Sequence, residues 1–196
     1  MSKDRLVLVT QNQHKLKELR PLFKKYDVPF ETTFIEKHEI RSESVEEIAR
    51  VAAEVAFETL QRPVVVDDTG FFVETLNGFP GSYAAIVLKA IGFQGILQLM
   101  NEKANRSSKF MTAVGYCDGH YLESFLGVMT GVVAREPAGE GGFGYDPIFV
   151  PDGFKQTYTF PVWQRAWKRD RTGIRKHFYY KHRTRRGQGR ILHPST

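Results

Sequence analysis

Short apolar runs alternate with helical periodicity along the first hundred residues. Residues 5–10 and 64–66 are runs of Val and Leu that suit strands inside a sheet, and a further strand is expected near residues 31–34. Apolar side chains recur at helical spacing in residues 15–23, 45–60 and 91–100. Strands that alternate with helices in this way predict an α/β fold that begins with parallel strands.

The pattern changes after residue 109. Residues 110–116 and 121–134 are typical of two strands, and the turn formers Asp118, Gly119 and His120 join them as a hairpin. A parallel beginning and an antiparallel middle together predict a mixed β-sheet flanked by helices.

Length and composition favour one soluble domain. A chain of 196 residues with 41% hydrophobic content can bury one sizeable core. No apolar run approaches the roughly 20 residues of a membrane span, and the first residues lack a signal-peptide pattern. We therefore expect a cytoplasmic protein without a membrane partner. Cys117 is the single cysteine, which excludes an internal disulfide and a cysteine-rich metal site.

The positive charge of the chain is concentrated near its end. From Arg165 onward there are eleven Lys or Arg residues against one acid, Asp170. Removing them from the 28 basic and 22 acidic residues of the whole chain leaves 17 against 21, a net charge of −4. We therefore expect a domain over residues 1–160 and a basic tail over residues 161–196.

The first strand leads through a polar turn into a helix. Free N–H groups at such a helix start, the positive end of the helix dipole and Lys15 would all face a bound phosphate. Thr10 and Asn12 could hold the loop or a phosphate oxygen. The alternative is an ordinary strand-to-helix connection in which Asn12 caps the helix.

Asp67 and Asp68 follow three consecutive valines and precede Thr69 and Gly70. We expect the strand to end here and to project both carboxylates and a hydroxyl into a turn. Two adjacent carboxylates are costly unless a bound cation or a general-base role uses them. The alternative is a solvated loop in which Asp68 is a cap. Glu39, in the loop before the second helix, is a further candidate metal ligand if the other motifs hold.

Residues 139–147 contain four glycines around Phe143 and Tyr145. Such a segment suits a flat ligand, because an aromatic ring can stack on a base while Asp146 contacts its edge. The alternative is a glycine-rich hairpin tip whose aromatic rings pack back on the sheet.

Together, these segments resemble the three signatures of the inosine triphosphate pyrophosphatase family, from about Leu6 to Tyr158. The segments are Thr10-x-Asn12-x-x-Lys15-x-x-Glu18, Asp67–Gly70 with Gly78–Tyr83, and Gly142–Phe149. The resemblance implies an elongated fold with two lobes around a central nucleotide cleft, usually in a homodimer. It also implies Mg²⁺-dependent hydrolysis of ITP, dITP or XTP to the monophosphate and pyrophosphate.

The resemblance also assigns roles to individual residues. Asp68 would be the general base and would bind the metal together with Glu39. The expected substrate-binding residues are Thr10, Gln11, Asn12, Gln13, His14 and Lys15 at the triphosphate, Thr69 beside it, and Phe143, Gly144, Tyr145 and Asp146 at the base.

The chain departs from the family pattern in two places. Where the family often has a lysine in the helix after the metal loop, this chain has Ala52 or a residue close to it. Arg50 is the candidate substitute for that lysine. The family also closes its base pocket with a Lys and a Ser-His-Arg triplet downstream of residues 157–158, and this chain has no such triplet. Because the resemblance is lost abruptly near Phe160, we hypothesise a shifted reading frame. The genetic code permits it, since the codons of Asp170–Gly173, read from their third base, can encode Ser-His-Arg. A disordered native tail is the alternative.

Two other functions stay open at this point. The basic residues 181–190 could hold nucleic acid through its phosphates, although a tail of this kind is usually only solvated. A pyrophosphatase for modified pyrimidine nucleotides is the second alternative. We expect a purine nucleoside triphosphate as the substrate and no nucleic acid as partner.

Overall fold

The computed structural model describes residues 5–35, 40–140, 142–159 and 178–185. In chain order their elements are β1 (Leu6–Val9), α1 (Gln13–Lys25), β2 (Phe30–Thr33), α2 (Val45–Leu60), β3 (Val64–Val73), β4 (Pro80–Gly81), α3 (Ala84–Leu99), β5 (Ser107–Cys117), β6 (Tyr121–Val133), β7 (Phe149–Pro151) and β8 (Phe178–Arg185). None of the described helices has the length and apolarity needed to cross a bilayer.

The described strands form one mixed sheet with the order β2-β1-β3-β5-β6-β7. β1 is parallel to both β2 and β3, and the later pairs are antiparallel. β4 pairs with β3, and β8 pairs with β6. The predicted change from parallel to antiparallel pairing is confirmed. β8 lies inside the expected tail, and the division at residue 160 stays a prediction.

Helix α2 has the bounds that its sequence pattern predicts. The hydroxyl of Ser44 accepts a hydrogen bond from the N–H of Glu47 at 3.2 Å, which satisfies one free donor of the first turn. Buried alanines let the helix approach β5 closely, because a Cβ at Gly115 would lie 2.2 Å from the carbonyl oxygen of Ala49. This packing fixes one face of the sheet beside the site.

A second apolar cluster fills the other side of the sheet. Phe71, Phe149 and Ile96 are fully buried in it, together with Tyr145 from the glycine-rich segment. Truncation of a buried phenylalanine to alanine typically costs about 3–5 kcal/mol. The glycine-rich segment is therefore tied to the core through its own aromatic residue.

Helix α3 begins seven residues earlier than predicted, at Ala84 rather than Ile91. Its first half is apolar almost throughout, so the sequence shows no alternation of apolar and polar positions that could predict a helix. The helix is interrupted at Gly92, where φ of 66° and ψ of 179° are not helical.

The prediction that the third strand ends at the two aspartates is wrong. β3 continues to Val73, and β5 pairs with all ten of its residues, from Val64 to Val73. The turn propensity of Gly70 is overridden by this long-range pairing. Gly70 instead serves close packing, since a Cβ there would lie 2.7 Å from the carbonyl oxygen of Gly81. The two carboxylates therefore lie in the middle of a strand.

Candidate active site

The site begins at a gap along one edge of β3. On that edge β1 pairs only with Val64 and Val65, and β4 pairs only with Phe71 and Phe72. Among the described strands, none covers the edge between these two contacts. The opposite edge is paired with β5 throughout. A strand that β5 supports along one edge thus presents Asp67, Asp68 and Thr69 to a cavity at its other edge.

Asp67 and Asp68 project from opposite faces of β3. The cross-strand partner of Asp68 is Ala113, which packs with Val45 and Ala49 of α2. Cross-strand partners share a face and neighbouring residues do not, so Asp68 projects toward the α2 face and Asp67 away from it. Both line the same cavity, because the gap in the sheet opens the strand edge from both faces.

Lys15 meets Asp67 on the α1 face. The Nζ atom of Lys15 lies 2.5 Å from Oδ2 of Asp67, whose residue is only 4% exposed. On the same face, the hydroxyls of Thr69 and Thr112 are 3.0 Å apart. This side of the gap therefore combines a cation, its counter-ion and two hydroxyl groups.

Asn12 caps helix α1. Its Oδ1 atom accepts hydrogen bonds from the N–H groups of His14 at 2.9 Å and Lys15 at 3.4 Å, while its own N–H donates to the Thr10 hydroxyl at 3.1 Å. The helix start is confirmed within two residues, and Asn12 has the capping role of the alternative interpretation. The N–H groups of His14 and Lys15, which were expected to donate to a phosphate, thus donate to the cap instead. The group of this turn that can still attract a phosphate by its charge is the Lys15 ammonium.

Tyr145 belongs to the core of the glycine-rich segment. It is 3% exposed, stacks on Phe71 with ring centroids 4.8 Å apart, and donates its hydroxyl to the carbonyl oxygen of Ala84 at 2.9 Å. Burial raises the pKa of Tyr145 to about 12. This ring packs back on the sheet, as the alternative interpretation expects.

Phe143, two residues earlier, is 47% exposed and lines the cavity. Its ring stacks against His14 of α1, with centroids 4.8 Å apart and an angle of 25° between the planes. The N–H of Phe143 donates to Oδ2 of Asp146 at 2.7 Å, so Asp146 shapes the turn that presents the ring. The stack joins the start of α1 to the glycine-rich segment.

One cavity of about 1070 Å³ collects most of the predicted residues. Gln13 lies outside its lining, and Glu39 lies outside the residues that the structure describes. The predicted residues in the lining are Thr10, Gln11, Asn12, His14, Lys15, Asp68, Thr69, Phe143, Gly144, Tyr145 and Asp146.

Several residues of the cavity lining have no role predicted from the sequence. Arg41 and Lys89 add two cations, and Ser82 and Tyr83 come from the turn before α3. Lys89 is the only charged residue of α3. A single charge in an apolar helix is a sequence signal that could have indicated a polar site. Arg41 gave none beyond its place two residues after Glu39.

The donor chemistry of the site suits Mg²⁺ bound with a phosphorylated ligand. Within the described ranges no three His, Cys, Asp or Glu side chains form a cluster that could hold a metal by themselves. Mg²⁺ is usually held by one or two carboxylates together with phosphate oxygens and waters. Asp68 in the cavity lining satisfies that smaller requirement.

The structure combines a mixed sheet, a cavity at an open strand edge and a lysine at a helix start. This combination is typical of the class of proteins that bind phosphorylated ligands. The Ham1 family model matches residues 6–169, past the point at which the sequence resemblance was expected to end. The chain belongs to the Ham1 family, so the resemblance noted from the three signatures is confirmed.

Similar proteins agree with this assignment. The dITP/XTP pyrophosphatase of Saccharolobus solfataricus is 42% identical over 151 residues, which cover 77% of this chain and 79% of that protein. The dITP/XTP pyrophosphatase of Methanopyrus kandleri is 42% identical over 155 residues, covering 79% and 82%.

Solved structures show the same fold. The nucleoside-triphosphatase / dITP/XTP pyrophosphatase of Mycobacterium abscessus superposes with a TM-score of 0.70 at 26% identity, covering 85% of this chain and 93% of that one. A HAM1 protein of Coxiella burnetii gives a TM-score of 0.70 at 27% identity, covering 83% and 90%. The predicted fold class is confirmed.

Proposed function

We propose that this protein hydrolyses the deaminated purine nucleotides dITP, ITP and XTP to the monophosphate and pyrophosphate, removing them from the nucleotide pool. The observation that carries the proposal is the meeting of Lys15, Asp68 and Phe143 around one cavity. These residues come from three segments far apart in the chain. Similar proteins that are named dITP/XTP pyrophosphatase support it.

The phosphates would bind at the end of the cavity formed by α1 and β3. A triphosphate is densely anionic, and Lys15, Arg41 and Lys89 all line this cavity. The N-terminal end of the α1 dipole adds a favourable field. Thr10 and Gln11 supply polar groups beside Lys15. This arrangement would orient the phosphate chain along the open edge of β3.

Asp68 would act as the general base. It accepts a proton from a water molecule whose oxygen attacks the α-phosphorus, and the bond from that phosphorus to the bridging oxygen of pyrophosphate breaks. Asp68, together with Glu39, would also hold Mg²⁺, which polarises the reacting phosphate and offsets its charge when bound. No covalent enzyme intermediate is required.

The purine would lie against Phe143 at the mouth of the cavity. The face of the ring that does not stack on His14 offers a stacking surface, and the glycines beside it allow the backbone to approach the base. Selectivity against adenine follows if buried groups donate to the 6-oxo oxygen, since an amino group would leave those donors unsatisfied.

We also expect a homodimer located in the cytoplasm. The oligomeric state is measured directly by sedimentation equilibrium of the full chain. A monomer at micromolar concentration would contradict the expected dimer without touching the proposed reaction.

The test of the reaction is pyrophosphate release from a panel of nucleoside triphosphates with Mg²⁺. We expect kcat/KM for dITP and XTP to exceed that for dATP by about a hundredfold, because one unsatisfied buried donor costs up to about 3 kcal/mol. Modified pyrimidine triphosphates belong in the same panel. Preference for one of them, or no pyrophosphate release from any nucleotide, would contradict the proposal.

A further inference from the structure

The two neighbouring aspartates differ in what they contact. Asp68 projects to the α2 face, whereas Asp67 projects to the α1 face and pairs with Lys15 at 2.5 Å. The proposed reaction uses Asp68 and gives Asp67 no role. Asp67 is nevertheless 4% exposed, and a buried carboxylate is retained only at considerable expense unless a cation compensates it.

The ion pair links α1 to β3 beyond the last residues at which β1 pairs with β3. Pairing between β1 and β3 ends at Leu8 and Val65, two residues before Asp67. Lys15 lies in the first turn of α1, whose start is fixed by the Asn12 cap. The Lys15–Asp67 contact therefore connects the helix start to the open length of β3.

A lysine side chain without a partner samples many rotamers, and ordering it during ligand binding carries an entropic penalty. Asp67 removes that freedom in advance, because a charge-assisted contact to a buried carboxylate fixes the ammonium group. The contact also keeps the ammonium on the α1 face, whereas Asp68 projects to the other. Two adjacent carboxylates can thus serve two different purposes.

We propose that Asp67 is a positioning residue that holds the Lys15 ammonium in place for the phosphate chain and directs it away from Asp68. This inference deepens the proposed function and rests on it. Lys15 can keep one N–H on Asp67 while its other two donors turn toward phosphate oxygens, since an ammonium group has three. Asp67 itself need not touch the substrate.

The first test is Asp67→Asn, which removes the charge and keeps the shape. Loss of preorganisation should lower kcat/KM for dITP roughly tenfold, mainly through a higher KM. Asp67→Glu keeps the charge and should recover most of the loss. Glu31→Gln is the matched control, because Glu31 pairs with Arg62 at a distance from the cavity lining. It should leave kcat/KM unchanged.

The decisive test is a double-mutant cycle with Lys15→Met. If Asp67 acts through Lys15, Asp67→Asn should no longer lower kcat/KM once Lys15 is gone, and relief of the buried charge can even raise it. An equal effect in both backgrounds would overturn the inference. The inference would also be overturned if the loss of kcat/KM parallels a fall in the thermal midpoint of unfolding and Asp67→Glu does not restore kcat/KM.

Calorimetric titration with inorganic triphosphate separates this inference from the proposed function, because it needs no turnover. The parent protein should bind triphosphate, Asp67→Asn should bind roughly tenfold more weakly, and the difference should vanish in the Lys15→Met background. Absence of nucleotide hydrolysis with this binding pattern intact would contradict the proposed function alone. Absence of triphosphate binding, or binding that is unaffected by Asp67→Asn, would overturn the positioning role.

Discussion

The two ends of the cavity are built in different ways. The proposed phosphate end consists of a strand edge and a helix start, joined by the Asn12 cap and the Lys15–Asp67 ion pair. The proposed base end is a glycine-rich segment, anchored by the buried Tyr145 and shaped by Asp146. Charges and regular secondary structure fix the first, whereas aromatic contacts hold the second.

This difference indicates how the work is divided. Phosphoryl chemistry requires charges at fixed positions, and these are most accurate when they project from strands and helices. Recognition of a flat base requires a stacking surface and close backbone approach, which a loop provides. Chemistry should therefore depend on the phosphate end and affinity for the base on the other, a distinction that the following variants test.

The largest effect is expected from Asp68→Asn. Removing the general base should lower kcat for dITP by about 10²–10⁴ while the nucleotide still binds. Pyrophosphate release gives the rate, and calorimetric titration with dITP gives the affinity. Turnover within a few-fold of the parent protein would remove Asp68 from the mechanism.

Phe143→Ala should mainly weaken binding of the base. Loss of stacking is worth about 1–3 kcal/mol per base, so KM for dITP should rise roughly tenfold or more with little change in kcat. Phe143→Tyr, which keeps the aromatic surface, is the matched control. A fall in kcat without a change in KM would contradict the proposed role of Phe143 in binding the base.

Asn12→Ala should destabilise the phosphate end. Loss of an N-cap typically costs about 1 kcal/mol, which lowers the melting temperature of a chain this long by about 2–4 °C. Asn12→Asp retains the acceptor oxygen and should melt close to the parent protein. If alanine has no effect on melting, the cap hydrogen bonds contribute nothing to the fold.

Tyr145→Phe should reveal the anchor of the base end through pH. The pKa of Tyr145 is raised to about 12, so its contribution to stability is complete below pH 10 and is lost as pH rises toward 12. At pH 8 the variant should be about 1 kcal/mol less stable, because it lacks the bond to Ala84. By pH 11 the parent protein loses about 1.4 kcal/mol, which is more than the gap at pH 8, so the variant should be at least as stable as the parent. Denaturant unfolding at both pH values measures this, and a constant gap would contradict the assignment.

Local signals in the sequence predict several elements of the fold. The cap at Asn12, the capped and amphipathic α2 and the hairpin at Asp118 are short-range features, and each appears in the structure. The predicted end of β3 was wrong because the length of this strand depends on pairing with β5, whose partner residues lie 35 to 53 positions away in the sequence. Contacts of that range leave little trace in local propensity.

The base end shows a second limit of local patterns. Phe143 and Tyr145 are both aromatic and both lie among glycines, yet one is half exposed and the other is buried. The difference depends on Phe71 and Ala84, which Tyr145 contacts from a distant segment. Composition could place an aromatic site here, but it could not tell which ring faces the ligand.

The most direct test of a single nucleotide site with two differently built ends is a crystal structure of Asp68→Asn with dITP and Mg²⁺. We predict phosphate oxygens within hydrogen-bonding distance of the Lys15 Nζ atom and the purine stacked on Phe143. A nucleotide bound with its phosphates away from Lys15, or with its base away from Phe143, would contradict the account.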